Sequence, residues 1–309
     1  MHDDYSVMHE NLFAKSGLSL DRLKSFIEIV SAGSIAKAAQ GDANRQSQFS
    51  RQLKELETFF GTELARRGRF GFALTPAGKR LYRIAQMHLA SLAALEKECS
   101  NEPVEVHIGA GESLIHWLIV PVLPKIDQSL PEATFVLHNL KREEIIEGLQ
   151  NGEVDLGFLR CDGIPKSLKS AKLMPFEYQA FVHRDSLNNA NRNSRKSLFR
   201  DLRWAVLEGE SRITRALNEA AEAAGTRLNI RLACSSFTQL AKAVRVLGLA
   251  AVIPRRAASE FKPEPIEALP LDFLTAQSTQ LALAWNPTVS TIRPAVERAV
   301  KTWRNLRLS

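Results

Sequence analysis

The stretch Ser34–Glu57, SIAKAAQGDANRQSQFSRQLKELE, constrains this chain more than any other. Two apolar-periodic segments are broken by Gly41-Asp42-Ala43-Asn44, which reads as helix, turn, helix. Ile35, Ala36, Ala38 and Ala39 keep the first segment small enough for a second helix to cross closely over it. Gly41 permits left-handed backbone where that helix ends, and Asn44 is expected to cap the next. In the second segment Phe49, Leu53 and Leu56 recur at i, i+4 and i+7, one buried stripe. The opposite face carries Arg45, Gln46, Gln48, Arg51, Gln52 and Lys54, with Ser47 and Ser50 beside them. A charged helix face is often merely solvated. Here, however, Arg can bond guanine bidentately, Gln can do the same with adenine, and Ser can reach bases or phosphates.

The flanking sequence supports a DNA-reading unit. Ser19 can cap a first helix whose Leu23, Phe26, Ile27 and Val30 share one face, and Gly33 and Ser34 separate it from the next. After Phe59-Phe60-Gly61, the run Arg66-Arg67-Gly68-Arg69-Phe70-Gly71-Phe72 reads as a hairpin. It could lay Arg67 and Arg69 along a phosphate backbone or minor groove. Between Arg45 and Arg83 stand nine basic residues and three acidic ones, most of the chain's formal excess of +7. Charge concentrated in this way is the electrostatic footprint of nucleic-acid binding.

Thr75-Pro76-Ala77-Gly78 opens a long helix, with proline at its permitted first position. Leu81, Ala85, His88, Leu92, Leu95 and Cys99 then form a coiled-coil-like seam. With little preceding chain to cover it, the seam is expected to pair with a second copy. After the linker Asn101-Glu102-Pro103, strands and helices alternate, which predicts a parallel α/β sheet. The strands fall near Val104–Ile108, Thr134–Leu137 and Val154–Leu159. A second α/β unit begins near Met174, with strands near Tyr178–His183, Trp204–Leu207, Ile230–Cys234 and Ala250–Ile253. Asn188 to Arg200 reads as a polar, basic loop. Ligands of such sheets sit beyond the carboxyl ends of strands. The candidates there are Ser113, Arg160, Ser211 and Ser236, then Glu112 and Phe237, placed where hydroxyls and helix-start amides can hold a polar ligand.

Phe26, Gly33-Ser34, Ala38-Ala39, Gln46, Ser50-Arg51-Gln52-Leu53, Leu56-Glu57, Gly61, Leu64 and Leu74-Thr75-Pro76-Ala77-Gly78 together resemble the winged helix-turn-helix of LysR-type transcriptional regulators. The likeness continues more weakly to Trp285. It implies an α/β fold class with an all-α/winged-helix N-terminal domain, followed by an effector domain of two α/β lobes with a solute-binding-protein-like cleft. The expected units are an extension (1–17), the winged helix-turn-helix (18–75), a dimerisation helix (76–100) and the effector domain (101–309). Its first lobe takes about 101–172 and 280–309, and its second about 173–279. The implied partners are a double-stranded DNA operator, a small-molecule effector, further copies of the chain joined through the linker helix and the effector domain as homodimer or homotetramer, and RNA polymerase, with no membrane. DNA contacts are expected from Ser34, Arg45, Gln46, Ser47, Gln48, Ser50, Arg51 and Lys54, with Arg67 and Arg69 from the wing. Two positions depart from the family pattern. Asn44-Arg45 replace an apolar residue and a serine before Gln46, and Glu112 stands beside Ser113 where hydroxyls prevail.

Other chemistries find little support. No apolar run reaches the roughly 18–20 residues of a membrane span, and the acidic, polar start is unlike a secretory signal. Cys99, Cys161 and Cys234 are widely separated, without the spacing of a zinc site or disulfide framework, which fits the cytoplasm. No phosphate loop or catalytic motif is present, so no enzyme and no cofactor are expected. A sensor or solute-binding protein whose N-terminal helices serve only oligomerisation remains the alternative reading. Salt-dependent duplex binding separates the two.

Overall fold

The structure, a computed structural model, describes residues 15–68, 71–209 and 211–306. The chain opens with α1 (Leu20–Ala32), α2 (Ile35–Ala39) and α3 (Ala43–Phe60), then a hairpin of β1 (Ala65–Gly68) and β2 (Gly71–Leu74). The long helix α4 (Pro76–Cys99) follows. Next come β3 (Val104–Ala110), α5 (Glu112–Leu114), a π-helical turn (Ile115–Ile119) and α6 (Val120–Ser129). Then follow β4 (Ala133–Asn139), α7 (Arg142–Asn151), β5 (Leu156–Arg160), β6 (Lys169–Phe176) and β7 (Tyr178–His183). The middle of the second lobe holds α8 (Arg195–Asp201), β8 (Arg203–Leu207), α9 (Arg212–Ala223), β9 (Asn229–Cys234) and α10 (Phe237–Leu247). The chain closes with β10 (Ala251–Pro254), β11 (Ile266–Leu269), β12 (Thr279–Trp285), α11 (Pro287–Ile292) and α12 (Pro294–Asn305).

The three N-terminal helices bury Phe26, Ile29, Phe49, Leu53 and Leu56 in one small core. Ser19 and Ser34 cap α1 and α2 as their sequence positions predict. Asn44 does not cap α3. Asp42 does, its Oδ1 accepting from the amides of Asn44 and Arg45 at 2.8 and 3.1 Å. The helix begins at Ala43, and a carboxylate there also meets the positive end of the helix dipole. At the joint between hairpin and α4, a Cβ on Gly78 would lie 1.9 Å from the carbonyl oxygen of Leu64. Only glycine fits so close an approach.

The seam on α4 needs correction. Leu81 joins the winged-helix core and Ala85 is fully buried. The outward row is Ile84, His88, Leu92, Leu95 and Cys99. Nor is a second copy the only cover available to this helix. Ala94 enters the core of the first lobe. Gln86 Nε2 donates to Glu153 Oε1 at 2.6 Å, and a Cβ on Gly152 would meet Met87 Cγ at 2.8 Å.

The first lobe is built on a five-stranded sheet of order β4-β3-β5-β12-β6. It is mixed, not parallel: β3 runs parallel to β4 and β5, while β12 pairs antiparallel with β5 and β6. The reason is topological, since β6 carries the chain out to the second lobe and β12 brings it back. The second lobe pairs β10-β7-β11 antiparallel and β8-β9 parallel. Backbone hydrogen bonds from Ala205 N to Ala250 O and from Ala250 N to Arg203 O join the two groups. The stretch Asn188 to Arg200, expected as loop, contains the end of a 3-10 turn (Arg184–Asn189) and α8. There Leu198 and Phe199 turn inward onto Trp204 and fold the polar run against the core.

One charged pair is deeply buried in the first lobe. Arg293 Nη1 meets Asp155 Oδ1 at 2.5 Å, and the two side chains are 6% and 0% exposed. Arg293 Nη2 also donates to Glu105 O at 2.8 Å, and the His107 amide donates to Asp155 Oδ2 at 2.9 Å. Burial pushes the Asp155 carboxyl above its ordinary range, while Arg293 opposes that shift. Replacing Arg293 by Met leaves Asp155 buried without its counter-charge. It should cost about 3–5 kcal/mol, measured by chemical denaturation.

Candidate nucleic-acid interface and ligand cleft

Helix α3 presents its polar side to solvent: Gln46, Ser47, Gln48, Ser50, Arg51 and Lys54 are all exposed. Phe49, Leu53, Leu56 and Phe59 anchor the opposite side, so the exposed row is held rigidly on a packed helix. Gln46, Ser50 and Lys54 follow one line along α3. With Ser34, Ile35, Arg66 and Phe72 they border a groove of about 720 Å³ between α2, α3 and the hairpin. The Arg51 guanidinium reaches outward, 74% exposed, with Glu55 at 3.8 Å.

Ser34 does two things, because its hydroxyl accepts from the Lys37 amide at 3.1 Å while its residue borders the groove. Arg45 stands apart from the row. It pairs with Glu28 of α1 at 3.1 Å and lies over the Phe49 ring at 5.3 Å. Its position, one turn before Phe49, points it back toward α1. Arg66, passed over in favour of its neighbours, is 72% exposed and held by Glu63 at 2.7 Å. Its cross-strand partner is Ala73, while that of Arg67 is Phe72. Arg69 and the side chain of Arg67 lie outside the described residues.

The second site is a cleft of about 920 Å³ between the lobes. Glu112, Ser113, Arg160, Ser236 and Phe237 all line it. They converge because β3, β5 and β9 end at its rim and α5 and α10 begin there. Ser211 is not among the lining residues; it caps α9, accepting from the Thr214 amide at 3.5 Å. Across the gap, the Thr238 hydroxyl donates to Glu112 Oε1, and Thr238 Oγ1 is 2.9 Å from Ser236 Oγ. Two helix starts from opposite lobes thus meet at one carboxylate.

Sequence reasoning missed the aromatic wall. Phe176 and Tyr178 pack edge to face at 5.4 Å, and Tyr178 and Phe237 lie 5.8 Å apart. The first two flank Glu177, where the chain crosses between lobes, and the β6 strand leading there went unread. Burial raises the Tyr178 hydroxyl pKa, while the charges of Arg212 and Arg160 oppose the rise. Arg160 itself has Asp162 at 4.0 Å. Its backbone oxygen accepts from Arg142 at 2.9 Å, which fixes the strand end without using the Arg160 guanidinium.

The lobes also meet behind the cleft. Trp117, on the π-helical turn, enters the second-lobe cluster with Phe181, Leu240 and Phe261. Beside it, His116 Nε2 contacts Glu260 Oε1. The widened turn directly precedes Pro121, whose ring cannot sit within regular helical hydrogen bonding.

Comparison with known proteins places both sites in context. The sequence family described as "Bacterial regulatory helix-turn-helix protein, lysR family" matches residues 20–79, and "LysR substrate binding domain" matches residues 102–304. The chain is 27% identical over 232 residues to the HTH-type transcriptional regulator EstR of Acinetobacter baylyi, covering 73% of this chain and 76% of that one. In fold it is similar to a full-length OxyR variant from Pseudomonas aeruginosa. That match has a TM-score of 0.66 and 18% identity, and covers 96% of this chain and 97% of that chain. It is also similar to CbnR in complex with its target DNA, with a TM-score of 0.59 and 19% identity, covering 93% of this chain and 99% of that chain. Among the described residues no helix is long and apolar enough to cross a membrane.

The exposed placement of Arg51 makes a direct test. Arg51→Ala is expected to cost about 1–3 kcal/mol of duplex affinity and to relax preference at one base pair, read by titration over a randomised duplex library. A loss that is uniform over sequences identifies a phosphate contact instead.

Proposed function

The chain belongs to the LysR family of helix-turn-helix transcriptional regulators, and from that premise we propose a cytoplasmic, dimeric or tetrameric regulator whose operator binding answers to a small molecule held between its two C-terminal lobes. The observation that carries this reading is the pairing, in one chain, of an exposed Gln-Ser-Arg-Lys row on α3 with a polar cleft between two lobes. Helix α4 joins the two parts, packing against the core of the N-terminal helices through Leu81 and against the first lobe through Ala94.

In this reading α3 enters the major groove. Gln46, Gln48, Ser50 and Arg51 contact bases or adjacent phosphates, Ser47 and Lys54 support them, and the wing arginines Arg66, Arg67 and Arg69 reach the backbone or minor groove. Arg45 joins them only by leaving Glu28, an exchange of one ion pair for another. Ser34, at the start of α2, faces the adjoining phosphates. The outward row on α4, with Leu92 47% and Leu95 54% exposed, is covered by the same row of a second copy. Two recognition helices then meet one interrupted palindrome.

Effector binding acts through relative position. The cleft is bounded by both lobes, α4 is seated on the first lobe, and the winged helix is seated on α4. A ligand that favours one lobe arrangement shifts the arrangement of the two reading heads and the bend of the DNA between them. RNA polymerase is the partner that would read the result.

Two measurements test the reading. Gel shift on a genome-selected duplex should show affinity falling roughly 10³–10⁵-fold between about 50 and 200 mM salt, as expected for 6–10 neutralised phosphates. Weak binding without sequence preference or salt slope would sink the regulator and favour a sensor whose helices only oligomerise. Separately, Leu92→Glu with Leu95→Glu should lower the solution mass by breaking the helix seam, taking a dimer to single chains or a tetramer to dimers. The double variant should also lose tight binding to the palindrome while keeping weak half-site affinity, measured by sedimentation and titration.

A further inference from the structure

The cleft carries charge of both signs: among the described residues Glu112 has no ion pair, and Arg160 has only a 4.0 Å contact with Asp162. Ala110 of β3 and Phe158 of β5 are register partners. Glu112 and Arg160 each lie two residues farther along, so adjacent parallel strands deliver an acid and a base to the same carboxyl end of the sheet. The Glu112 carboxylate is half-buried and accepts only the Thr238 hydroxyl, with no ion pair among the described residues. A hydroxyl satisfies a lone pair and leaves the charge uncompensated. Arg160 is partly exposed and has Asp162 no nearer than 4.0 Å. Lys141, on the same rim, is exposed.

The same cleft is lined by the aromatic wall of Phe176, Tyr178 and Phe237. Aromatic faces beside a carboxylate attract an ammonium group, and a guanidinium matches a carboxylate bidentately. A plain organic acid would bring its charge toward Glu112 without an answering cation there. A plain amine would leave Arg160 unanswered. A ligand carrying both charges satisfies both poles.

Granted that the cleft is the effector site, we propose that it takes a small zwitterion, an amino acid with an apolar body. Its ammonium group rests on Glu112, its carboxylate on Arg160, and its body on Phe176, Tyr178 and Phe237. Glu112 is then the residue that sets this preference over simple acids.

Calorimetric titration of the full chain with L-phenylalanine, L-tryptophan, L-leucine and L-methionine tests this. The matched analogues lacking one charge serve as controls; for phenylalanine these are 3-phenylpropionate and 2-phenylethylamine. At least one zwitterion should bind tenfold or more tighter than either of its analogues. Glu112→Gln keeps an acceptor for Thr238 while removing the charge. It should weaken the zwitterion at least tenfold without weakening the acid analogue, and Arg160→Gln should do the converse with the amine. Failure of all four zwitterions to bind, or an acid analogue binding as tightly as its zwitterion, overturns the proposal. A ligand lost in Phe237→Leu yet indifferent to Glu112→Gln and Arg160→Gln overturns the zwitterion and leaves the cleft standing. Binding untouched by all three substitutions overturns the cleft reading itself. Thermal unfolding of each unliganded variant verifies that it folds.

Discussion

The contact between Asp155 and Arg293 holds together the platform on which the rest of the molecule stands. Asp155 precedes β5; its amide donates to the His107 carbonyl of β3, its carboxylate accepts from the His107 amide, and it receives Arg293 from the turn between α11 and α12. It thereby locks the register of β3 against β5 and ties the end of the chain to both strands. At the opposite edge of those strands the same register delivers Glu112 and Arg160 to the cleft. Taking two charges out of water is expensive, and the bonds from the His107 amide to Asp155 and from Arg293 to the Glu105 carbonyl offset part of that cost, while Arg293 Nε is left without a partner among the described residues. Its value here is positional: it defines which residues face one another at the far side of the sheet.

The same lobe carries α4. Ala94 lies in its core, Met87 fits over Gly152, and Gln86 reaches Glu153. At its other end α4 is locked to the hairpin by the approach of Gly78 to Leu64 and by Thr75, whose hydroxyl donates to the Glu63 carbonyl at 2.7 Å. A helix packed at both ends joins the winged helix directly to the first lobe. The lobes touch one another through Glu112 with Thr238 at the mouth and Trp117 with the Phe261 cluster behind.

Much of this was legible from spacing. Ser19, Ser34 and Thr75 declared the helix starts that they cap, and Phe49, Leu53 and Leu56 declared the buried side of α3. Glu112, Ser113, Arg160, Ser236 and Phe237 were found because strand ends and helix starts line clefts in α/β folds. The failures have physical causes. Asn44 and Asp42 are both competent caps, and choosing between them needs the first helical turn. Leu81 and Ala85 share a helical face with Leu92, and periodicity does not say which end of that face another part of the chain covers. The β6 strand, Lys169–Phe176, mixes lysines with apolar residues and makes its pattern visible only when β12 pairs beside it.

The sequence by itself determined the helix-turn-helix, its wing and its linker helix, because caps, breaks and apolar stripes act over one to four residues. It also determined that a two-lobed α/β region follows, since alternating strand and helix patterns are local too. Tertiary structure alone decided the pairings that span the chain. Arg293 finds Asp155 across 138 residues, Thr238 finds Glu112 across 126, and Arg45 turns to Glu28 across 17. Charge and hydrogen bonding select such partners by distance in space, and no local pattern encodes which carboxylate the folded chain will bring within reach.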